Sequence, residues 1–172
     1  MAGTELTSQE YIKHHLTNLT YGRFEDGTWG FAHGPEDIAE MGFWAIHVDT
    51  MFWSISLGVV FLTMFTFAAR RATAGVPGGL QNMCEMLVEF VEDNIQQVFG
   101  NRPNPIIGPL SLTILVWVFL MNLMDLVPVD WIPYASTIVG IEYMKVVSTT
   151  DPNATLAMSF GVFLLVLYYN LK

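Results

Sequence analysis

The chain has 172 residues, of which 52% are hydrophobic and 13% are charged, and its formal net charge is −9. Such an acidic chain is a poor partner for nucleic acid. Its single cysteine, Cys84, excludes a disulfide framework. The sequence contains no phosphate-binding loop, nucleophile elbow or zinc-binding pattern. We therefore expect no catalytic residue, no cofactor, no metal and no direct nucleotide binding.

The first 49 residues are mostly polar and acidic. Thr7 and Glu10 fit a capping box, which predicts a short amphipathic helix over residues 8–19. Residues 21–40 are rich in glycine and acidic side chains and are expected to form a loop. Four aromatic residues are expected to anchor this segment at the membrane interface. They are Trp29, Phe31, Phe43 and Trp44.

Three apolar stretches follow, at residues 51–69, 106–124 and 155–171, and none contains a charged residue or a histidine. The first two are each about 19 residues long, which gives a helix of roughly 28 Å, close to the thickness of the hydrocarbon core of a bilayer. One such stretch could be a buried core helix, but three in one short chain favour membrane spans. The sequence therefore predicts an all-α integral membrane protein with three transmembrane helices.

The connection between the first two spans has a pattern of its own. Over residues 79–100, apolar side chains recur at helical spacing, and four acidic side chains gather on another face. This pattern predicts an amphipathic helix that lies in the membrane plane or packs on neighbours. The predicted segments are an external N-terminal segment at 1–49, transmembrane helices at 50–71, 105–127 and 154–172, a cytoplasmic connection at 72–104 and an external connection at 128–153.

Positively charged residues set the predicted orientation. Arg70 and Arg71 follow the first span, Arg102 precedes the second and Lys172 follows the third. Because such residues favour the cytoplasmic side, we expect a multi-pass membrane protein with its N-terminus outside and with residues 70–105 and Lys172 in the cytoplasm.

The second span ends in a polar cluster that contains Asn122, Asp125 and Asp130. Asn122 and Asp125 are three residues apart and share a helix face. The macrodipole at a helix C-terminus and the loss of water both disfavour a charged carboxylate at Asp125, so that this group could exchange protons. The alternative is that Asp125 lies among lipid headgroups and only marks the end of the span.

A second pair of polar residues, His47 and Asp49, precedes the first span. Histidine changes its charge near physiological pH, so this pair could shuttle protons. The alternative is that both are ordinary interfacial polar groups.

Several motifs resemble the family of bacterial F-type ATP synthase subunit a. They are YIKHHLTNL at 11–19, HVDTM at 47–51, ATAGVPG at 72–78, LTILVWVFLMNLMDLVPVD at 112–130 and STTDPNAT at 148–155. The resemblance implies the stator subunit of a rotary proton motor, which is not catalytic on its own. It implies a c-ring and b subunits as partners, with lipid around the helices and protons as the transported ion.

The resemblance also implies that Asn122, Asp125 and Asp130 line or neighbour the outer half of the proton path, and that the chain lies in the bacterial inner membrane with a periplasmic N-terminus. His47 and Asp49, singled out by their own chemistry, are weaker candidates for the proton path. Two later long helices of the family, which carry an essential arginine, are not found before Lys172. The chain is therefore expected to be the N-terminal part of a longer protein. The alternative is a non-conducting, truncated scaffold that docks partner helices through the in-plane helix and the third span.

Overall fold

The computed structural model describes residues 16–100, 104–128, 130–138, 140–141 and 144–171. Its strands are β1 (Thr20–Arg23), β2 (Trp29–Phe31) and β3 (Ile46–His47). Its α-helices are α1 (Pro35–Met41), α2 (Val48–Arg70), α3 (Gly79–Phe99), α4 (Ile107–Leu123), α5 (Trp131–Ile138) and α6 (Pro152–Leu171). Short 3-10 turns lie at Gly42–Trp44, Met124–Leu126 and Ser148–Thr150. The chain forms two compact units, one of residues up to Ser54 together with those from Met121 onward, the other of Ile55–Leu120.

Among the described residues, three helical segments are long and apolar enough to cross a membrane, namely Val48–Arg70, Ile107–Leu126 and Pro152–Tyr169. The prediction of an all-α fold with three membrane-spanning helices is confirmed. The first membrane-spanning helix, α2, begins at Val48, so Asp49 lies within its first turn rather than before it. Few side chains along the spans are buried, which leaves their apolar faces available to lipid or to other subunits.

The N-terminal segment holds a small antiparallel sheet in the order β2-β1-β3. Tyr21 pairs with Phe31 across one edge of β1 and with Ile46 across the other. The prediction of a loop over residues 21–40 was therefore wrong. Asp26 and Gly27, which has a φ of 87°, form the hairpin turn, and Asp-Gly between aromatic residues is a strong hairpin signal.

The predicted helix over residues 8–19 lies mostly outside the described residues. Leu16 is helical, but Thr17, Asn18 and Leu19 are not. Both backbone groups of Leu19 bond to residues distant in sequence. Its N–H donates to the carboxylate of Asp49 at 2.9 Å, and its carbonyl oxygen accepts from the backbone N–H of Val48 at 2.8 Å. These tertiary bonds replace the bonds that a helix would make.

A close approach between β1 and the turn after α1 fixes the packing of the sheet. A Cβ atom at Gly22 would lie 2.7 Å from the sulfur of Met41 and 2.9 Å from the carbonyl oxygen of Trp44. Met41 is almost fully buried there. The position therefore requires a residue without a side chain.

The second unit contains the later part of α2, all of α3 and most of α4. α2 and α4 approach each other closely where Gly58 faces the indole ring of Trp117, 3.4 Å from where a Cβ would stand. Phe61 and Val116 are buried near this crossing in sequence, at 5% and 4% exposure. The glycine thus leaves room for the indole ring at this contact.

The connection between α2 and α3 is tied down by one side chain. Gln81 accepts a hydrogen bond from the backbone N–H of Thr73 and donates one to its carbonyl oxygen at 3.1 Å. α3 buries Cys84, Val91 and Ile95 on one face and exposes acidic residues on another. Burial raises the pKa of the Cys84 thiol. That α3 lies in the membrane plane stays a prediction.

Candidate functional site

The first polar centre is built around Asp49, which is fully buried in the first turn of α2. One carboxylate oxygen accepts hydrogen bonds from the backbone N–H groups of Leu19 at 2.9 Å and Lys145 at 3.0 Å. The other accepts from the side-chain amide of Asn18 at 3.3 Å and the backbone N–H of Thr50 at 2.8 Å. A buried carboxylate is tolerated only when it is bonded in this way. Asp49 therefore joins three separate segments of the chain.

The second centre is a pair formed by His47 and Asp151, which are 104 residues apart in sequence. The imidazole Nδ1 and a carboxylate oxygen are 2.5 Å apart. The Asp151 side chain is 4% exposed, whereas that of His47 is 24% exposed. Asp151 is thus buried, whereas His47 is partly exposed.

Two further donors hold Asp151 in place. The backbone N–H of Asn153 donates to its other oxygen at 2.9 Å, as expected of an N-cap residue before Pro152. The hydroxyl of Thr50 lies 3.4 Å from the oxygen that faces His47. Burial raises the pKa of Asp151, but the hydrogen bonds from His47, Asn153 and Thr50, with the charge of His47, outweigh it, so the net pKa is lowered.

The 3-10 turn Ser148–Thr150 connects these groups to the end of α4. The hydroxyl of Ser148, which is 1% exposed, donates to the carbonyl oxygen of Thr50 at 2.9 Å. The hydroxyl of Thr149 donates to the amide oxygen of Asn122 at 3.2 Å. One turn therefore contacts both the beginning of α2 and the end of α4.

Asp125 lies in the 3-10 turn Met124–Leu126 that follows α4. It lines a cavity of about 170 Å³ whose other walls include Pro128, Lys145 and Thr150. The sequence left open whether Asp125 lines a polar path or only marks the end of the span. Asp125 is exposed, and most residues that line this cavity are apolar. A role of Asp125 in a polar path therefore stays a prediction.

A second, larger cavity of about 550 Å³ lies beside the His47–Asp151 pair. Its walls come from α1 and the turn after it, from the first residues of α2 and from the first residues of α6. His47 and Asp151 are the two titratable residues among those that line it. Its remaining lining is mainly apolar, with Thr50 and Asn153 as further polar residues.

Four of the five sequence-predicted residues lie beside one segment, residues 144–151. Asn122, Asp125, His47 and Asp49 each bond to this segment or share a cavity with it. Asp130 is exposed on the turn before α5 and does not line either cavity.

Sequence reasoning missed the role of Asp151 and of the hydroxyl residues before it. Asp151 directly precedes Pro152, the first residue of α6, and accepts the Asn153 N–H as an N-cap residue does. Nothing in the local pattern indicated the contact with His47, because only the tertiary fold brings the two together.

Comparison with known proteins identifies the family. Residues 51–172 match the family described as ATP synthase A chain. The chain belongs to that family. The resemblance in the motifs is thereby confirmed, and the chain is a membrane protein of a kind found in bacteria.

Individual relatives agree along the whole chain. It is 57% identical over 172 residues to ATP synthase subunit a of Thiobacillus denitrificans, which covers 100% of this chain and 61% of the relative. It is 56% identical over 169 residues to ATP synthase subunit a of Pseudomonas aeruginosa, covering 96% of this chain and 58% of the relative. For Pseudomonas fluorescens the identity is 53% over 171 residues, covering 98% and 59%. The chain thus spans about three fifths of the length of the relatives it matches.

Proposed function

We propose that this chain forms part of the stator of the ATP synthase membrane sector, where it contributes to the proton path that drives the c-ring. The family membership carries this proposal, since the relatives named ATP synthase subunit a match almost all of the chain. It does not favour the alternative of a non-conducting scaffold. The c-ring and the b subunits are the proposed partners, and the exposed apolar faces of the spans offer surfaces for them.

The proposed orientation places the polar cluster on the outer, periplasmic side. Arg70 and Arg71 lie at one end of α2, and Asp49 lies at the other end. Since arginine favours the cytoplasmic side, Asp49 and the N-terminus lie outside. Asn122 and Asp125, at the end of α4, then belong to the outer half of the proton path, with Asp130 at its mouth.

The geometry supports separate roles for these residues. Asp125 borders a cavity that includes Thr150 and Lys145 in its walls, so a proton could reach its carboxylate through water. Asn122 is bonded to Thr149 and holds the turn Ser148–Thr150 against the end of α4. Asp49 is fully buried and accepts hydrogen bonds from several donors, among them the backbone N–H of Lys145, and so it helps to position the cavity wall at Lys145. That Asp49 itself exchanges protons stays a prediction.

The test is ATP-driven proton pumping by inverted membrane vesicles from cells whose ATP synthase contains this chain. Asp125→Ala is expected to abolish most pumping, and Asn122→Ala to reduce it, while ATP hydrolysis by the complex continues. Thr113→Ala is the matched control, because the Thr113 hydroxyl donates to a carbonyl oxygen of its own helix, that of Pro109. Full pumping by an assembled Asp125→Ala complex would refute the proposed function.

A further inference from the structure

We propose that His47 and Asp151 form a proton-binding pair that collects protons from water on the outer face and delivers them to the proton path. This inference rests on the proposed function. It assigns a protonatable site that lies apart from Asp125 and that depends on a contact between distant parts of the sequence.

Accessibility is the first argument. The pair lines a cavity of about 550 Å³, which is far larger than the roughly 30 Å³ that one water molecule occupies in the liquid. His47 is partly exposed to this space, whereas Asp151 lies behind it. Water in the cavity can therefore reach the imidazole more readily than the carboxylate.

Charge is the second argument. α1 and the turn after it contribute Ile38 and Phe43 to the cavity, while α2 contributes Thr50 and Met51. α6 and the residue before it contribute Asn153, Ala154 and Asp151, so Asp151 is the one charged group that faces His47 from these lining residues. Asp49, two residues away, uses its carboxylate on Leu19, Lys145, Asn18 and Thr50 instead. A proton on His47 is thus balanced by a single carboxylate.

The chemistry follows from the bond between the two side chains. Nδ1 of His47 donates its hydrogen to the carboxylate of Asp151, which leaves Nε2 to accept a proton from hydronium in the cavity. The imidazolium that forms is stabilised by Asp151 and returns the proton from Nε2 to a neighbouring water. The cycle forms and breaks one N–H bond and leaves both residues unchanged.

The segment that precedes Asp151 links the pair to the cavity of Asp125. Thr150 precedes Asp151 in sequence and lines the cavity of Asp125. Thr50 lies beside Asp151 and also lines the cavity of His47. Val147 and Thr150 line the cavity of Asp125, and Asp151 lines the cavity of His47, so this one segment contributes to both cavities.

The experiment is ATP synthesis by inverted vesicles with the assembled complex, driven by a fixed total proton-motive force while the pH inside the vesicles is varied. In these vesicles the interior corresponds to the periplasm. His47→Gln retains a hydrogen-bond donor toward Asp151 but cannot titrate. We expect its rate to fall by about fivefold at an interior pH of about 8, where protons are scarce, and by less than about twofold near pH 6. His33→Gln, an exposed histidine that does not line the cavity, should keep the unaltered profile.

A second variant separates proton exchange from a purely mechanical role. His47→Ala should lose rate in the same pH range and recover it when imidazole is trapped inside the vesicles. A pH profile of assembled His47→Gln that matches the unaltered chain, or the absence of imidazole rescue, would overturn the inference. If Asp125→Ala still abolishes pumping in that case, the proposed function stands without the pair. If Asp125→Ala pumps normally, the proposed function itself has failed.

Discussion

Replacement of Asp49 by asparagine tests how the polar end of the spans is held together. The two oxygens of Asp49 each accept two hydrogen bonds, and three of the four donors are backbone N–H groups. Asparagine keeps one oxygen and places an NH₂ group where the other oxygen stood. In either orientation of the amide, two of the four surrounding N–H donors then face this NH₂ group and lose their acceptor. Losing a charge-assisted bond or leaving a buried donor unpaired costs about 1.5–3 kcal/mol. We therefore expect Asp49→Asn to lower the free energy of unfolding by roughly 3–6 kcal/mol.

Thermal unfolding of the chain in detergent micelles, followed by tryptophan fluorescence, measures this effect. For a chain of this size the loss corresponds to a decrease in Tm of about 6 °C or more. Asp37→Asn is the matched control, because Asp37 is solvent-accessible and accepts one hydrogen bond, from the backbone N–H of His33. The control should change stability by no more than about 0.5 kcal/mol. An Asp49→Asn chain as stable as the control would show that the carboxylate does not join the three segments.

Two further substitutions probe the same end of the molecule. Gly22→Ala would place a Cβ 2.9 Å from the carbonyl oxygen of Trp44, which cannot move without disturbing the sheet, so the Tm should fall by an amount equivalent to about 1–3 kcal/mol. Gly34→Ala, at an extended residue with nothing within 4 Å of the new atom, should leave the Tm nearly unchanged, and equal Tm values for both would contradict the close approach. Because the pKa of Asp151 is lowered in the folded chain, its charge stabilises the fold above the unfolded value near 3.8, and this stabilisation is lost as the pH falls through the folded value. The difference in Tm between the unaltered chain and Asp151→Asn should thus shrink as the pH falls below about 4, whereas a difference that grows there would contradict the stabilising role of the Asp151 charge.

The membrane spans could be predicted from sequence because their signal is local. A run of uncharged residues long enough to cross a bilayer has few other uses, and it identified all three spanning helices. The sheet was not predicted because the acidic and glycine-rich composition of residues 21–40 is typical of a loop, whereas the Asp26-Gly27 pair within it is typical of a hairpin turn. Turn chemistry is more specific than composition, and here it decides the structure.

The candidate site was predictable only in part. Asp125 and Asn122 attract notice because a carboxylate at the edge of an apolar run is costly and therefore informative. The pairing of His47 with Asp151 joins residues 104 positions apart and depends on how the segment before α6 returns to the beginning of α2. Asp49 shows the same limit, since no local pattern reveals that backbone groups of Leu19 and Lys145 converge on it.

Passive proton flow through the membrane sector tests the central claim most directly. Vesicles that contain the complex are stripped of its peripheral part, and proton uptake is then driven by a potassium diffusion potential. We predict rapid uptake with the unaltered chain and with Thr113→Ala, and uptake close to that of vesicles without the complex for Asp125→Asn. Undiminished uptake by Asp125→Asn, with the membrane sector fully assembled, would contradict the assignment of this chain to the proton path through Asp125.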